Sequence, residues 1–104
     1  MSELTQQERR QFKRFPFLGE VEIIGIGVFR CLNLSTAGLY LQNKQPIPVG
    51  SVVDIRFKLH DTDEHPIMIK ACVIFRLEGE GFGLDFRDLC LEDHEKLVKF
   101  IEKG

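Results

Sequence analysis

Apolar and polar residues alternate along this chain in short runs. In Val53-Asp54-Ile55-Arg56-Phe57-Lys58-Leu59 every second residue is apolar. In an extended strand that turns one face inward and leaves the other in water. Leu39-Tyr40-Leu41 repeats the pattern over a shorter span, and Phe82-Gly83-Leu84-Asp85-Phe86 follows a Glu78-Gly79-Glu80-Gly81 turn as a last short strand. Ile67 to Phe75 is apolar at every position except Lys70, which predicts a strand covered in part on both faces. Val21 to Leu32 reads as two strands joined near Gly25 and Gly27. Glycines and prolines punctuate these runs at regular intervals, the pattern of an all-β sandwich or barrel of about six strands. Near the C-terminus the period changes. Leu97, Phe100 and Ile101 fall at i, i+3 and i+4 with Val98 beside them, so an amphipathic helix is predicted from about Leu91. Asp88, Glu92 and Asp93 suit its positive end, Lys99 and Lys103 its negative end. A helix this short needs a sheet or a partner to pack on.

Composition narrows the class without naming a function. The chain has 104 residues, 43% hydrophobic and 29% charged, which fits one folded domain. Residues 1–14 read as a flexible, polar N-terminal arm and 15–104 as the domain proper. No apolar run approaches the roughly 20 residues of a membrane-spanning helix. Nor does one follow a basic start, so no secretory signal is expected. Cys31, Cys72 and Cys90 are widely spaced and odd in number. They form neither a metal-binding pair nor a disulfide framework and are read as reduced thiols of a cytoplasmic protein.

Charge is distributed unevenly. Arg9, Arg10, Lys13 and Arg14 against Glu3 and Glu8 give the first fourteen residues +2, leaving −4 on the other ninety. An acidic body with a basic arm is poorly suited to a nucleic-acid polymer, which needs an extended basic face. It suits capture of a small anion by a few arginines.

Two short motifs carry candidate chemistry. Arg10-Gln11-Phe12-Lys13-Arg14 is an RxxxR preceded by Arg9. Its spacing puts the guanidiniums of Arg10 and Arg14 on one side, each a planar fork that matches a phosphate or the O6/N7 edge of guanine. The bland reading is a solvated basic tail. Asn33-Leu34-Ser35-Thr36-Ala37-Gly38 is an NxSxxG between two predicted strands. Asn33 offers a donor and an acceptor, Ser35 a rotatable hydroxyl, and Gly38 either a positive φ or room for a ligand to approach. A plain turn uses the same residue types.

Other candidates weigh less. His60-Asp61-Thr62-Asp63-Glu64-His65 contains metal-ligand types, but matches neither zinc-site nor calcium-loop spacing and reads as a polar loop. No nucleophile is partnered with a histidine by spacing, and there is no phosphate-binding glycine loop, so no catalytic set and no metal site are expected. Phe12, Phe15 and Phe17 are read as anchors of the arm and first strand, Cys72 and Cys90 as small core or boundary residues.

Taken together and in this order, RxxxR and, with 18 residues between Arg14 and Asn33, NxSxxG resemble the PilZ domain family. Gly81-Phe82-Gly83-Leu84-Asp85-Phe86 looks like that family's late GxGxxF strand, and the closing helix extends the resemblance over nearly the whole chain. The resemblance implies a six-stranded antiparallel β-barrel of the split-barrel kind with a C-terminal α-helix. It implies a non-enzymatic receptor for the second messenger cyclic di-GMP, with no cofactor beyond that ligand. Arg10 and Arg14 would grip guanine and phosphate, and Asn33, Ser35 and Gly38 would line the barrel beneath them. Arg9 resembles the residue of members that take an intercalated pair, implying two ligand molecules per chain. Binding would order the arm against the barrel and pass the signal to a separate downstream protein. Two other readings stand beside this one. A PilZ-like adaptor without nucleotide binding would be expected to lack the arginines. A small-barrel nucleic-acid binder would be expected to have a basic groove and aromatic platforms, against a single Tyr40 and no Trp here.

Overall fold

The computed structural model describes residues 15–43 and 47–103. Six antiparallel strands close into a barrel: β1 (Phe15–Ile23), β2 (Gly27–Leu34), β3 (Gly38–Gln42), β4 (Val52–Phe57), β5 (Ile67–Leu77) and β6 (Gly81–Phe86). Around the ring the order is β1-β2-β3-β6-β5-β4. One helix follows, α1 (Leu91–Lys103).

The alternating runs become strands because each can bury one face. Val21, Ile23, Cys31, Leu41, Ile55, Phe57, Val73, Phe82 and Leu84 point into a continuous core. Burial also pushes the Cys31 thiol up to about 12, with backbone hydrogen bonds from Asn33 and Tyr40 opposing it. That thiol is a packing group rather than a nucleophile. Cys72 is half-buried on the barrel wall, Cys90 is exposed ahead of the helix, and all three are free thiols.

Three differences from the sequence reading have physical reasons. β1 begins at Phe15 and not near Val21. Pro16 and Gly19 look like breakers, but a register shift between them absorbs the irregularity. Pro16 also lies beyond the β1–β4 seam, which spans only Val21–Ile23, so its missing N–H is not needed there. β5 runs on to Leu77 and, despite its apolar sequence, is covered on one face only: Ile67, Ile69, Ala71 and Val73 are buried, while Met68 and Ile74 are exposed. β4 stops at Phe57, although Leu59 remains buried beyond it.

The helix packs its apolar face against the core beside the start of β1. Leu97 and Ile101 are buried, and the Phe100 ring meets Phe15 and Phe17 edge-on at 5.3 and 5.6 Å between centroids. Phe15 and Phe17 thus anchor the first strand; Phe12 lies outside the described residues. Glu92 and Asp93 occupy the first helical turn and Lys103 the last, as the helix dipole favours.

Candidate functional site

The β2–β3 connection holds the second motif. Ser35 is buried, and its hydroxyl is consumed within the turn. The amides of Ala37 and Gly38 donate to Ser35 Oγ at 3.1 and 3.2 Å, and the hydroxyl donates to the Gly38 carbonyl at 3.3 Å. The Ser35 amide donates to the same carbonyl at 2.9 Å, and the Phe86 amide donates to the Ala37 carbonyl at 2.8 Å. The motif serine therefore fixes the shape of the turn and ties it to β6.

Gly38 departs from the sequence reading. It has no positive φ; among the described residues only Gly25, Gly27, Gly50 and Gly79 do. Its lack of a side chain serves close approach, but by the protein's own backbone: a Cβ there would lie 2.0 Å from the Leu84 carbonyl oxygen. Glycine is required so that β3 and β6 can pair at this point, where Gly38 stands opposite Asp85.

Asn33 is half-buried on the outside of β2, between the inward-facing Cys31 and Leu34. The register sets one row across the outer wall. Pro16 of β1 pairs with Asn33, Asn33 with Tyr40 of β3, Tyr40 with Gly83 of β6, and Gly83 with Phe75 of β5. The Tyr40 and Phe75 rings stack at 5.9 Å with an interplanar angle of 17°. They do so over the glycines of β6: a Cβ on Gly83 would lie 2.2 Å from the Phe75 ring, and one on Gly81 would lie 2.9 Å from the Tyr40 hydroxyl. Bare glycine backbone covered by cross-strand aromatics is a way of keeping the strand paired and its surface flat. Burial first, and then the Glu80 carboxylate, push the Tyr40 phenol up, so it remains a neutral hydroxyl at physiological pH.

The structure thus brings Asn33, Ser35 and Gly38 together at one end of the β2–β3 ladder. Arg9, Arg10 and Arg14 lie outside the described residues. Tyr40 and Phe75 were missed by motif reading. The available signal was an aromatic at the outward position of Leu39-Tyr40-Leu41 with two glycines spaced by one residue on a later strand. His60 and His65 lie on the β4–β5 loop, and no group of three or more His, Cys, Asp or Glu among the described residues is placed to hold a metal ion. No described helix is long and apolar enough to cross a membrane.

Residues 8–103 match the PilZ domain family. No curated protein matches the chain significantly. Among solved structures, the inhibitor of motility of Bacillus subtilis (MotI/DgrA) superposes with a TM-score of 0.77 at 20% identity, covering 91% of this chain and 50% of that one. YcgR of Escherichia coli in complex with c-di-GMP gives 0.71 at 15% identity, covering 91% of this chain and 45% of that one. The PilZ domain of YcgR with c-di-GMP gives 0.71 at 14% identity, covering 91% and 90%. The chain spans about half the length of the first two. At these identities the likeness is one of fold.

Proposed function

Because this chain belongs to the PilZ domain family, we propose that it is a non-catalytic, cytoplasmic receptor that binds cyclic di-GMP between its N-terminal arm and the outer wall of the barrel at Asn33. The observation that carries this reading is the register of β1 on β2. Phe15, the residue bonded to Arg14, stands opposite Leu34, and Pro16 opposite Asn33. The strand that follows RxxxR thus starts beside NxSxxG, although 18 residues lie between Arg14 and Asn33 in sequence. Two structural relatives are c-di-GMP complexes of the same fold, which supports the choice of ligand.

In this reading the roles divide by chemistry. Arg10 and Arg14 supply planar forks to phosphate and to the guanine O6/N7 edge. Asn33 offers an amide to a base edge from the barrel side. Ser35 and Gly38 act indirectly: one locks the turn, the other lets β3 and β6 close beneath it. Arg9 is one residue out of phase with its neighbours, and it meets a second ligand molecule stacked on the first. Ordering of the arm on the barrel is the output, read by a downstream protein.

Calorimetric titration with cyclic di-GMP tests this. The expected result is saturable binding of two ligands per chain, falling to one in Arg9→Leu. Absence of binding overturns the receptor reading, whereas one ligand per wild-type chain overturns only the pairing.

A further inference from the structure

A separate cavity of about 470 Å³ lies between α1 and the β4–β5 loop. Its size falls in the range of small-molecule sites, roughly 300–1,000 Å³. Phe15, Leu59 and Phe100 give it an apolar floor. His60 adds an aromatic wall, its ring edge-on to Phe100 at 5.1 Å and 68°. Lys96, Lys99 and Lys103 line its helical side, at i, i+3 and i+7 on one face of α1. All three are exposed, and none has an ion-pair partner among the described residues. Across from them Asp63 spends one carboxylate oxygen on the His60 amide, at 3.1 Å. With Glu64 opposite as well, the three lysines leave the lining with a net positive charge.

We propose that this cavity binds an aromatic anion, a planar ring bearing a carboxylate, sulfonate or phosphate, at a site distinct from the Asn33 wall. The ring rests against Phe15, Phe100 and His60, whose edge-on arrangement favours one more aromatic partner. The acid group meets the lysine ammoniums. These are point charges on flexible stems, so they accept an anion without the fixed bidentate geometry that arginine imposes. Occupation by the chain's own arm is disfavoured by charge, since Arg9, Arg10, Lys13 and Arg14 would face the lysine row.

The test uses 1-anilinonaphthalene-8-sulfonate as the probe and N-phenyl-1-naphthylamine, the same rings without the sulfonate, as its neutral counterpart. Fluorescence titration of the full chain should give saturable sulfonate binding at one site. The Lys96→Gln, Lys99→Gln double variant should bind the probe roughly tenfold or more weakly, the loss of about one charge-assisted contact. Because both lysines are exposed, the double variant should keep its unfolding temperature. Arg10→Ala should leave probe binding unchanged. Equal sulfonate affinity in wild type and double variant overturns the proposal, as does equal affinity for the neutral counterpart. Displacement of the probe by cyclic di-GMP would place it on the nucleotide wall and also overturn the second site, without touching the receptor reading.

Discussion

The outer wall of the barrel has two halves of opposite character. Across β1, β4 and β5 it is laced by ion pairs, Arg56 with Glu22 and Lys70 with Asp54, the second at 3.1 Å. From β2 through β3 and β6 to the C-terminal part of β5, the row Asn33–Tyr40–Gly83–Phe75 carries no charge and is capped by stacked rings. Both halves cover the same core. The charged half satisfies itself with its own residues and with water. The uncharged row has neither a carboxylate nor a cation of its own. A surface that solves only the solvation problem is knitted with opposite charges; a surface kept free of them has room for another tenant.

The contrast is broken most severely at Gly38. Gly38→Ala places a Cβ 2.0 Å from the Leu84 carbonyl oxygen, backbone that cannot swing aside. A loss of about 3 kcal/mol is expected, at the upper end of overpacking costs. In thermal denaturation that amounts to a fall of roughly 10 °C or more for a chain of this size. An unchanged midpoint would show that β3 and β6 need no close approach.

Arg10→Ala and Arg14→Ala are expected to act on affinity alone. Each removes a bidentate contact worth about 1–3 kcal/mol, a roughly 5- to 150-fold rise in Kd for cyclic di-GMP, with the unfolding temperature unaltered. Isothermal calorimetry beside thermal denaturation checks both halves of that statement. Normal affinity in both variants would remove the arm from the site.

Ser35→Ala and Asn33→Ala separate the turn from the wall. Ser35→Ala leaves the Ala37 and Gly38 amides without their acceptor and should lower stability by about 1–2 kcal/mol. Asn33→Ala should instead cost roughly 0.5–1.5 kcal/mol in binding, the net worth of a neutral hydrogen bond. If Ser35→Ala weakened binding with the fold intact, the serine would be a ligand contact and not a brace for the turn.

The smallest effect is expected on the charged half. Replacing Arg56 and Lys70 together by Ala removes two exposed ion pairs, each worth about 0–1 kcal/mol. Cyclic di-GMP affinity should stay within about twofold, since screening weakens such exposed charges at a distance. A tenfold loss would extend the binding wall round to β4 and β5.

Much of this was legible in the sequence, for local reasons. The alternation in Val53 to Leu59 and the i, i+3, i+4 set of Leu97, Phe100 and Ile101 report burial directly, so β4 and α1 appear close to where they were expected. The motif residues Asn33, Ser35 and Gly38 also declared themselves by type. What escaped depends on partners remote in the chain. Pro16 and Gly19 signal a break until β2 supplies a register that tolerates them. The need for glycine at position 38 comes from Leu84 across the ladder, and the stacking of Tyr40 on Phe75 comes from the glycines of β6 between them. Sequence spacing cannot contain a steric demand that only strand pairing creates.

The narrow β1–β4 seam bears on how any partner can attach. With β1 and β4 paired only over Val21–Ile23, and β4 ending at Phe57 opposite Val21, residues 15–20 run past the end of β4 with no ladder partner on that side. A visiting peptide seeking to extend the sheet would look there first. Pro16 offers it no amide proton, and the irregular register between Pro16 and Gly19 spoils an even spacing of donors and acceptors. Recruitment by backbone templating is thereby disfavoured along this stretch, and any protein docking there would have to recognise side chains. The same proline and distortion guard the barrel against growing, copy by copy, into an extended sheet.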